Sequence, residues 1–552
     1  MDLIILGGVA LTMDPAKPRV EAVGIKGNTI AAVGSRAEIL ELKRPGTRVI
    51  DAAGGTILPG LIESHMHLWL GAAELDHLSL YGVSGFDALH DRVKAFAAAN
   101  PHQALLVAQA ADYTVLGVGR PVTRHDLDRI VPDRPFIMFA PDHHTAWANT
   151  IALTEAGILG GRKLSVGNEI VMAADGTAAG ELRETEASDP VSQLSDQGLR
   201  HRLGITTGAD PEPAATVAER AGDKLVLQRG LAHLARHGLT SFHNMDGNPY
   251  LLALLAELQA EGKLTARGRV PFHYKNFMQL SALETASQMT RAYPSEMLQS
   301  GFVKMFVDGV IDSSTAVLLE DYADQPGVNC APLFTPAQFN QVAIEADRRG
   351  LQIAVHAIGD GAVRIVLDGY EAAAKANGLR DLRHRIEHIE MVHPSDIARF
   401  KPLGVVASMQ PVHPPGMAGL PLEPTLSRIG RARLATAYAW ATLRAAGARM
   451  TFATDWPVSP IDPMLAIECA VTRPVWAEGL PPQRQSLSDT LRSYTHDSAY
   501  VEHMEHRKGM LRLGMLADVT VLSGDIEQVD PQAIHTLTAA ATVCDGKLVF
   551  EG

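Results

Sequence analysis

Cysteine is scarce in this 552-residue chain: only Cys330, Cys469 and Cys544 occur, far apart and without a C-x-x-C pair. That argues against a disulfide framework or a thiolate zinc knot and favours a reducing compartment, most simply the cytoplasm. Basic charge is also short. With 62 acidic against 49 basic residues the formal net charge is −13, which disfavours a sequence-independent nucleic-acid binder. No segment approaches the ~20 apolar residues of a membrane helix. The opening MDLIILGGVALTM lacks the basic region and cleavage site of a signal peptide and reads as a strand. Neither nucleic acid nor a membrane is therefore an expected partner, and a homo-oligomer stays open. Also missing are a G-x-S-x-G elbow, a phosphate-binding G-x-x-x-x-G-K-[ST] loop and an H-E-x-x-H helix.

What is present is the balance of a globular protein, 46% hydrophobic and 20% charged. The middle of the chain holds eight short apolar runs that end in polar residues. They are Gly60–His67, Leu239–Asn244, Arg269–Lys275, Phe302–Asp308, Gln352–His356, His384–Glu390, Val405–Gln410 and Met450–Asp455. Stretches able to form helices, such as 249–261, 336–349, 361–377 and 431–446, separate most of them. Buried strands alternating with helices predict an α/β fold, a (β/α)₈ TIM barrel with its site at the strands' C-terminal ends. The interval 74–230 breaks this rhythm and reads as an inserted subdomain after the first strand, with strands of its own at 104–110 and 136–140. Both ends are β-rich. Residues 1–57 and 501–552 are expected to form one small β-sandwich beside a barrel over 58–500, the alternative being two unrelated edge ribbons.

The sharpest chemical signal is His65-Met66-His67 at the end of the first run. Period-two geometry puts both imidazoles on one face, where they can share a metal ion. Alone the pair is weak, since the chain has 22 histidines. Other runs end in further candidate ligands: His356 in QIAVH, His388 in RIEHIE and Asp455 after MTFAT. This nitrogen and oxygen set suits zinc or a similar divalent ion. Lys304 stands inside the apolar FVKMFVDG, where an unpaired ammonium is costly.

The segments PGLIESHMHL, VKMFVDGVIDSSTA, HAIGDGAV, RHRIEH, SMQPVH and ATDWPVSP resemble the serial motifs of the amidohydrolase superfamily. The branch they most resemble is amidohydrolase family 3, which includes N-substituted formamide deformylases. The resemblance extends to DHHTAWAN, ELRE and the terminal ADVTVL and GKLVFEG. It implies a binuclear site: His65 and His67 on one metal with Asp455 beside it, and His356 and His388 on a second. Lys304, carbamylated by CO₂, would bridge the two Zn²⁺ ions. Where the family has an aspartate directly after His243, this chain has Asn244.

The function expected is hydrolysis of a C–N bond in a small amide, N-substituted formamide or N-acyl compound by a metal-bound hydroxide. Asp455 would shuttle the proton to the leaving nitrogen. Carbamate, lactone or ester hydrolysis at the same site is a second reading, and a metal-stabilised regulatory protein without turnover is a third. Further candidates for substrate contact are His144, His413, Trp69, Trp456 and Glu184. Each has a structural alternative: a loop or cap role for His144, an exposed helix carboxylate for Glu184, and packing for the tryptophans.

Overall fold

The computed structural model describes residues 1–117, 119–140, 145–164 and 168–552. It contains two compact units. One comprises Met1–Leu68, Gly204–Ala209 and Leu231–Gly552; the other comprises Trp69–Leu203 and Asp210–Gly230.

The first unit is built on parallel strands: β1 (Leu61–Met66), β2 (Leu239–Asn244), β3 (Arg267–Arg269), β4 (Phe272–His273), β5 (Leu298–Gln299), β6 (Phe302–Phe306), β7 (Gln352–Ala357), β8 (Arg385–His388), β9 (Val406–Met409) and β10 (Arg449–Phe452). They pair in the orders β5-β3-β2-β1 and β4-β6-β7-β8-β9-β10. Each of the eight expected runs holds a parallel strand. The third run is split between the two sheets. Pro271, between β3 and β4, has no N–H to offer a ladder. At the other edge, the Ser64 hydroxyl donates to Phe452 O (2.9 Å) and the Asp455 amide to His65 O (3.0 Å), so β1 lies beside β10. β1 and β7 are buried at every position, as expected of strands covered on both faces.

Local chemistry sets the helices between them. Asn248 caps α1 (Pro249–Ala260) by accepting from the Leu251 amide, with Pro249 in the first turn. A Thr335–Gln338 capping box starts α2 (Pro336–Arg348), and α3 spans Asp360–Asn377. The helix expected over 431–446 is shorter: a 3₁₀ turn at Arg431–Thr436 and α4 at Trp440–Ala445. Tyr438 interrupts it with φ +48°, its amide donating to Glu390 O instead (2.7 Å).

Two further sheets lie at the ends of the chain, one N-terminal throughout and one that combines both ends. The strands Thr29–Gly34, Ala22–Lys26, Leu3–Leu6 and Arg48–Asp51 form one. The other runs Lys547–Glu551, Ala539–Cys544, Val519–Leu522, Thr56–Pro59, Val9–Leu11, Arg19–Val20. Leu3, Ile5, Val23 and Ile25 share a core with Ile57, Val519, Val521 and Val543. Val519–Leu522 pairs directly with Thr56–Pro59, and Asp518 forms a two-pronged ion pair with Arg267 of β3. Deleting everything after Ala517 should therefore open the Thr56–Pro59 edge, strip the shared core and leave Arg267 buried without its partner. The expected result is insoluble chain or a thermal midpoint lowered by more than 10 °C or so. An unchanged midpoint would refute it.

The second unit carries a sheet in the order Glu169–Met172, Ala178–Arg183, Thr145–Ala148, Phe136–Phe139, Leu106–Gln109, Leu78–Ser79. Alternate residues enter opposite cores, Leu106, Phe136 and Met138 on one face and Val107, Ile137 and Phe139 on the other. Among the described residues no helix is long and apolar enough to cross a membrane.

Candidate metal centre

The end of β1 aims His65 and His67 at one locus. His65 Nδ1 lies 2.6 Å from Glu387 Oε2 and His67 Nδ1 lies 3.0 Å from Asp246 Oδ1. With Nδ1–H donated to its carboxylate, each ring in its neutral form turns an Nε2 lone pair inward. Both Nε2 atoms stand 3.3 Å from Asp455 Oδ1. A ring nitrogen pinned by a carboxylate with the other free is how metal-ligating histidines are held. His388, at the end of β8, lies 2.8 Å through Nδ1 from Gln410 Oε1, and that nitrogen is 3.9 Å from Asp455 Oδ2. Its ring is 4.8 Å from that of His65, 4.5 Å from His356 and 5.9 Å, nearly parallel, from His413. Two sets of potential ligand atoms result, His65–His67–Asp455 and His388–His413–Asp455, each within 4.8 Å. Asp455 belongs to both.

His356 is in the same cluster, but its Nε2 is turned to Gly309 O at 3.0 Å and lies 3.7 Å from Asp308. Asp308 accepts from the amides of Val317, Ile358 and Gly359 and so folds the loops around His356. Lys304 lies on β6 with its side chain buried. Its Nζ has no hydrogen-bond partner among the described residues and sits 4.5 Å from the centre of the Phe306 ring.

Burial holds most of these imidazoles neutral, as metal ligation requires. It lowers His65 to about 4 and His356 to about 3, and holds His388 well below its usual value. His67 differs: burial pulls it down, but Asp246 and Asp455 outweigh burial and raise it to about 9. Burial works against Asp455 too, yet His65, His67 and His388 keep its carboxyl well below the usual range. Burial brings Lys304 down to about 8, against the pull of Glu387 and Asp455. Among the described residues, His65 Nε2, His413 Nε2, Asp455 Oδ1 and Lys304 Nζ are all buried with no hydrogen-bond partner. Orphaned nitrogen and oxygen atoms gathered in one place are what a divalent cation would satisfy.

Of the remaining candidates, Trp456 is buried, its carbonyl accepts from the His67 amide (2.8 Å), and its ring is 5.4 Å from that of His233. Trp69 and Glu184 belong to the second unit: Trp69 is buried on the helix Leu68–Glu74, and Glu184 precedes the helix Thr185–Ser192 with φ +67°. His144 lies outside the described residues.

Sequence reasoning missed the supporting groups Glu387, Asp246, Gln410 and Arg385. Arg385 grips Glu387 through Nε and Nη2 and also donates to Ser64 O and to the Ser408 hydroxyl. It donates as well to His243 Nδ1 (2.9 Å), whose Nε2 faces Glu502 at 3.3 Å, and Glu502 is paired with Lys508. A buried polar chain thus runs from His65 to the segment after β10. The available signal was the alternation of opposite charges, Arg385 and Glu387, two residues apart in a run that ends in a candidate ligand. Asn244 does not remove the carboxylate expected after His243; Asp246 supplies one two residues later, and Asn244 Nδ2 hydrogen-bonds it at 3.1 Å. Asp246→Asn should weaken metal affinity about 10- to 100-fold by loosening His67, as read by competition with a metal chelator. Unchanged affinity would rule out the orienting role.

Residues 48–550 match a model of the amidohydrolase family. The chain is 30% identical to the protein LONG AFTER FAR-RED 3 of Arabidopsis thaliana, over 95% of this chain and 87% of that one. It is 25% identical to the N-substituted formamide deformylase of Arthrobacter pascens, over 100% and 98%. Among solved structures it resembles an uncharacterized metal-dependent hydrolase from Pyrococcus furiosus, with TM-score 0.73 and 26% identity over 96% of this chain and 99% of that one. With the family model spanning nearly its whole length, the chain belongs to the amidohydrolase family.

Proposed function

We propose that this protein is a metal-dependent hydrolase that cleaves a C–N bond in an N-substituted formamide or related N-acyl compound. In this reading the parallel strands close into one (β/α)₈ barrel around a binuclear zinc site. The observation that carries the reading is Asp455, a carboxylate shared by two sets of histidines, in each of which one buried Nε2, that of His65 or His413, has no hydrogen-bond partner among the described residues. The deformylase relative points to the bond.

His65, His67, His356, His388 and Asp455 would hold the cations, with a carbamate on Lys304 between them. Bound there, they would supply Lewis acidity toward a carbonyl and lower the pKa of water. The protein's own residues do the rest. Glu387 and Asp246 keep His65 and His67 in one tautomer and one orientation. Asp455 Oδ1 faces His65 and His67 while Oδ2 lies on the His388 side, and in this reading the carboxylate takes a proton from the attacking water and hands it to the departing nitrogen. Without that proton the amine is a poor leaving group.

The test is metal analysis joined to a screen of formamides, N-acyl amides, carbamates and esters. Metal-dependent amine release from the amides supports the reading. A fully metallated protein that cleaves only esters overturns it.

A further inference from the structure

We infer that Lys275 and His273 form an anion subsite beside the metal centre, and that the substrate carries a carboxylate in addition to the bond that is cleaved. The inference rests on the proposed hydrolase reading only for the identity of that bond.

β4 ends against Lys304: His273 and Lys304 are paired in register, and the next amide, Tyr274 N–H, donates to Lys304 O at 2.9 Å. Residues two apart along such a chain share a face. His273 and Lys275 accordingly reach the same partly exposed ring, Phe306. The His273 ring stacks on it at 5.4 Å and the Lys275 Nζ stands 5.6 Å from its centre. The His356 ring stacks on the same phenyl at 4.6 Å, and Lys304 Nζ is 4.5 Å from it. Phe306 thereby joins the metal centre to a second polar pair.

That pair is unsatisfied. Lys275 is mostly withdrawn from solvent and donates to Ile205 O, but among the described residues no carboxylate pairs with it. The charged group acting on it is Lys304, also positive. Three other buried cations of this unit have a carboxylate, Arg267 with Asp518, Arg385 with Glu387 and Lys508 with Glu502, while Arg269 and Arg473 are each held by two neutral oxygens where Lys275 has one. His273 is fully buried, and among the described residues neither ring nitrogen makes a hydrogen bond of good geometry, the Gly204 carbonyl being the backbone group that approaches it. A desolvated ammonium without a counter-charge and an imidazole without a well-formed hydrogen bond are both costly. Cations held at the adjacent centre would add to the positive field. An anionic group on the substrate answers all three, pairing with Lys275 and accepting from the imidazole N–H.

The experiment uses the metal-loaded protein and N-formyl ω-amino acids from N-formylglycine to N-formyl-6-aminohexanoate, each beside its methyl ester. Binding is read by thermal shift and turnover by amine release. At least one chain length should bind about tenfold or more tighter as the acid than as the ester, the scale of one charge-assisted hydrogen bond. In Lys275→Met that ratio should fall toward one, in Lys275→Arg it should persist, and in His273→Phe, which keeps a ring against Phe306, it should shrink. Acid and ester binding alike at every length overturns the subsite. So does a ratio unchanged in Lys275→Met, which would make the lysine a contact of the cleaved group or a structural residue. Acid-selective binding without amine release would instead leave the subsite standing and count against C–N hydrolysis.

Discussion

Replacing Asp455 with asparagine is expected to lower kcat about 100-fold or more while leaving the fold in place. The size follows from the loss of a general acid–base group, which contributes ~10²–10⁴. Preservation of the fold has a local reason. Asp455 has φ +63°, a left-handed conformation that asparagine tolerates better than most residues. Its backbone bonds, Asp455 N–H to His65 O and Val458 N–H to Asp455 O, survive the exchange. The side chain changes from an anion shared by two sets of histidines to a neutral amide, so metal content has to be measured in the same sample. Thermal denaturation with the midpoint nearly unchanged, bound metal retained and kcat sharply reduced is the expected combination. A fully metallated Asp455→Asn variant with near-normal kcat would exclude the proton-shuttle role.

The parallel strands were legible because most of them bury both faces, which leaves apolar runs of the right length ending in a polar residue. His65 and His67 were legible for the same reason: two imidazoles at period two can only share a face. The breaks at Pro271 and Tyr438 were not equally visible. Proline announces itself, but the positive φ of Tyr438 is imposed by its amide bond to Glu390 O, a partner 48 residues away in sequence. The left-handed backbone at His388, Ile389 and Asp455 is equally silent in the sequence, as none is glycine. Those conformations turn the chain sharply at the strand ends and aim His388 and Asp455 toward His65.

The supporting shell was hidden for a different reason. Glu387 could be noticed as a charge inside β8, but its target, His65, lies 322 residues earlier. The two strands belong to different sheets, and only the tertiary arrangement brings the pair within a hydrogen bond. Tertiary arrangement likewise brings Asp246 to His67. Sequence reasoning identifies residue types suited to ligate; the groups that orient them come from neighbouring strands, where spacing along the chain carries no information. His413 shows the point from the other side. The sequence placed it after the seventh run as a substrate contact, and the structure stacks it on His388 within reach of Asp455.

Lys304→Ala is expected to lose both metal and activity, with small carboxylic acids restoring part of each. A buried ammonium cannot ligate a cation and is repelled by one. As a neutral amine it can add CO₂, forming an N–C bond and releasing a proton, and the side chain becomes an anionic carbamate. Among the described residues no hydrogen bond holds Nζ, which is fully buried. Metal uptake and CO₂ uptake should then depend on one another, so that bicarbonate speeds recovery of activity from metal-free protein. Removing the side chain should weaken metal binding by more than the ~10- to 100-fold that follows loss of a supporting partner. It also leaves a cavity the size of the lost stem, into which formate, acetate or propionate can place a carboxylate. Lys304→Met separates this from packing: it fills the same volume, admits no acid and should lose metal without rescue. A Lys304→Ala variant that binds metal as tightly as the unaltered chain, with no response to bicarbonate or acids, would leave the lysine a structural residue and the carbamate without support.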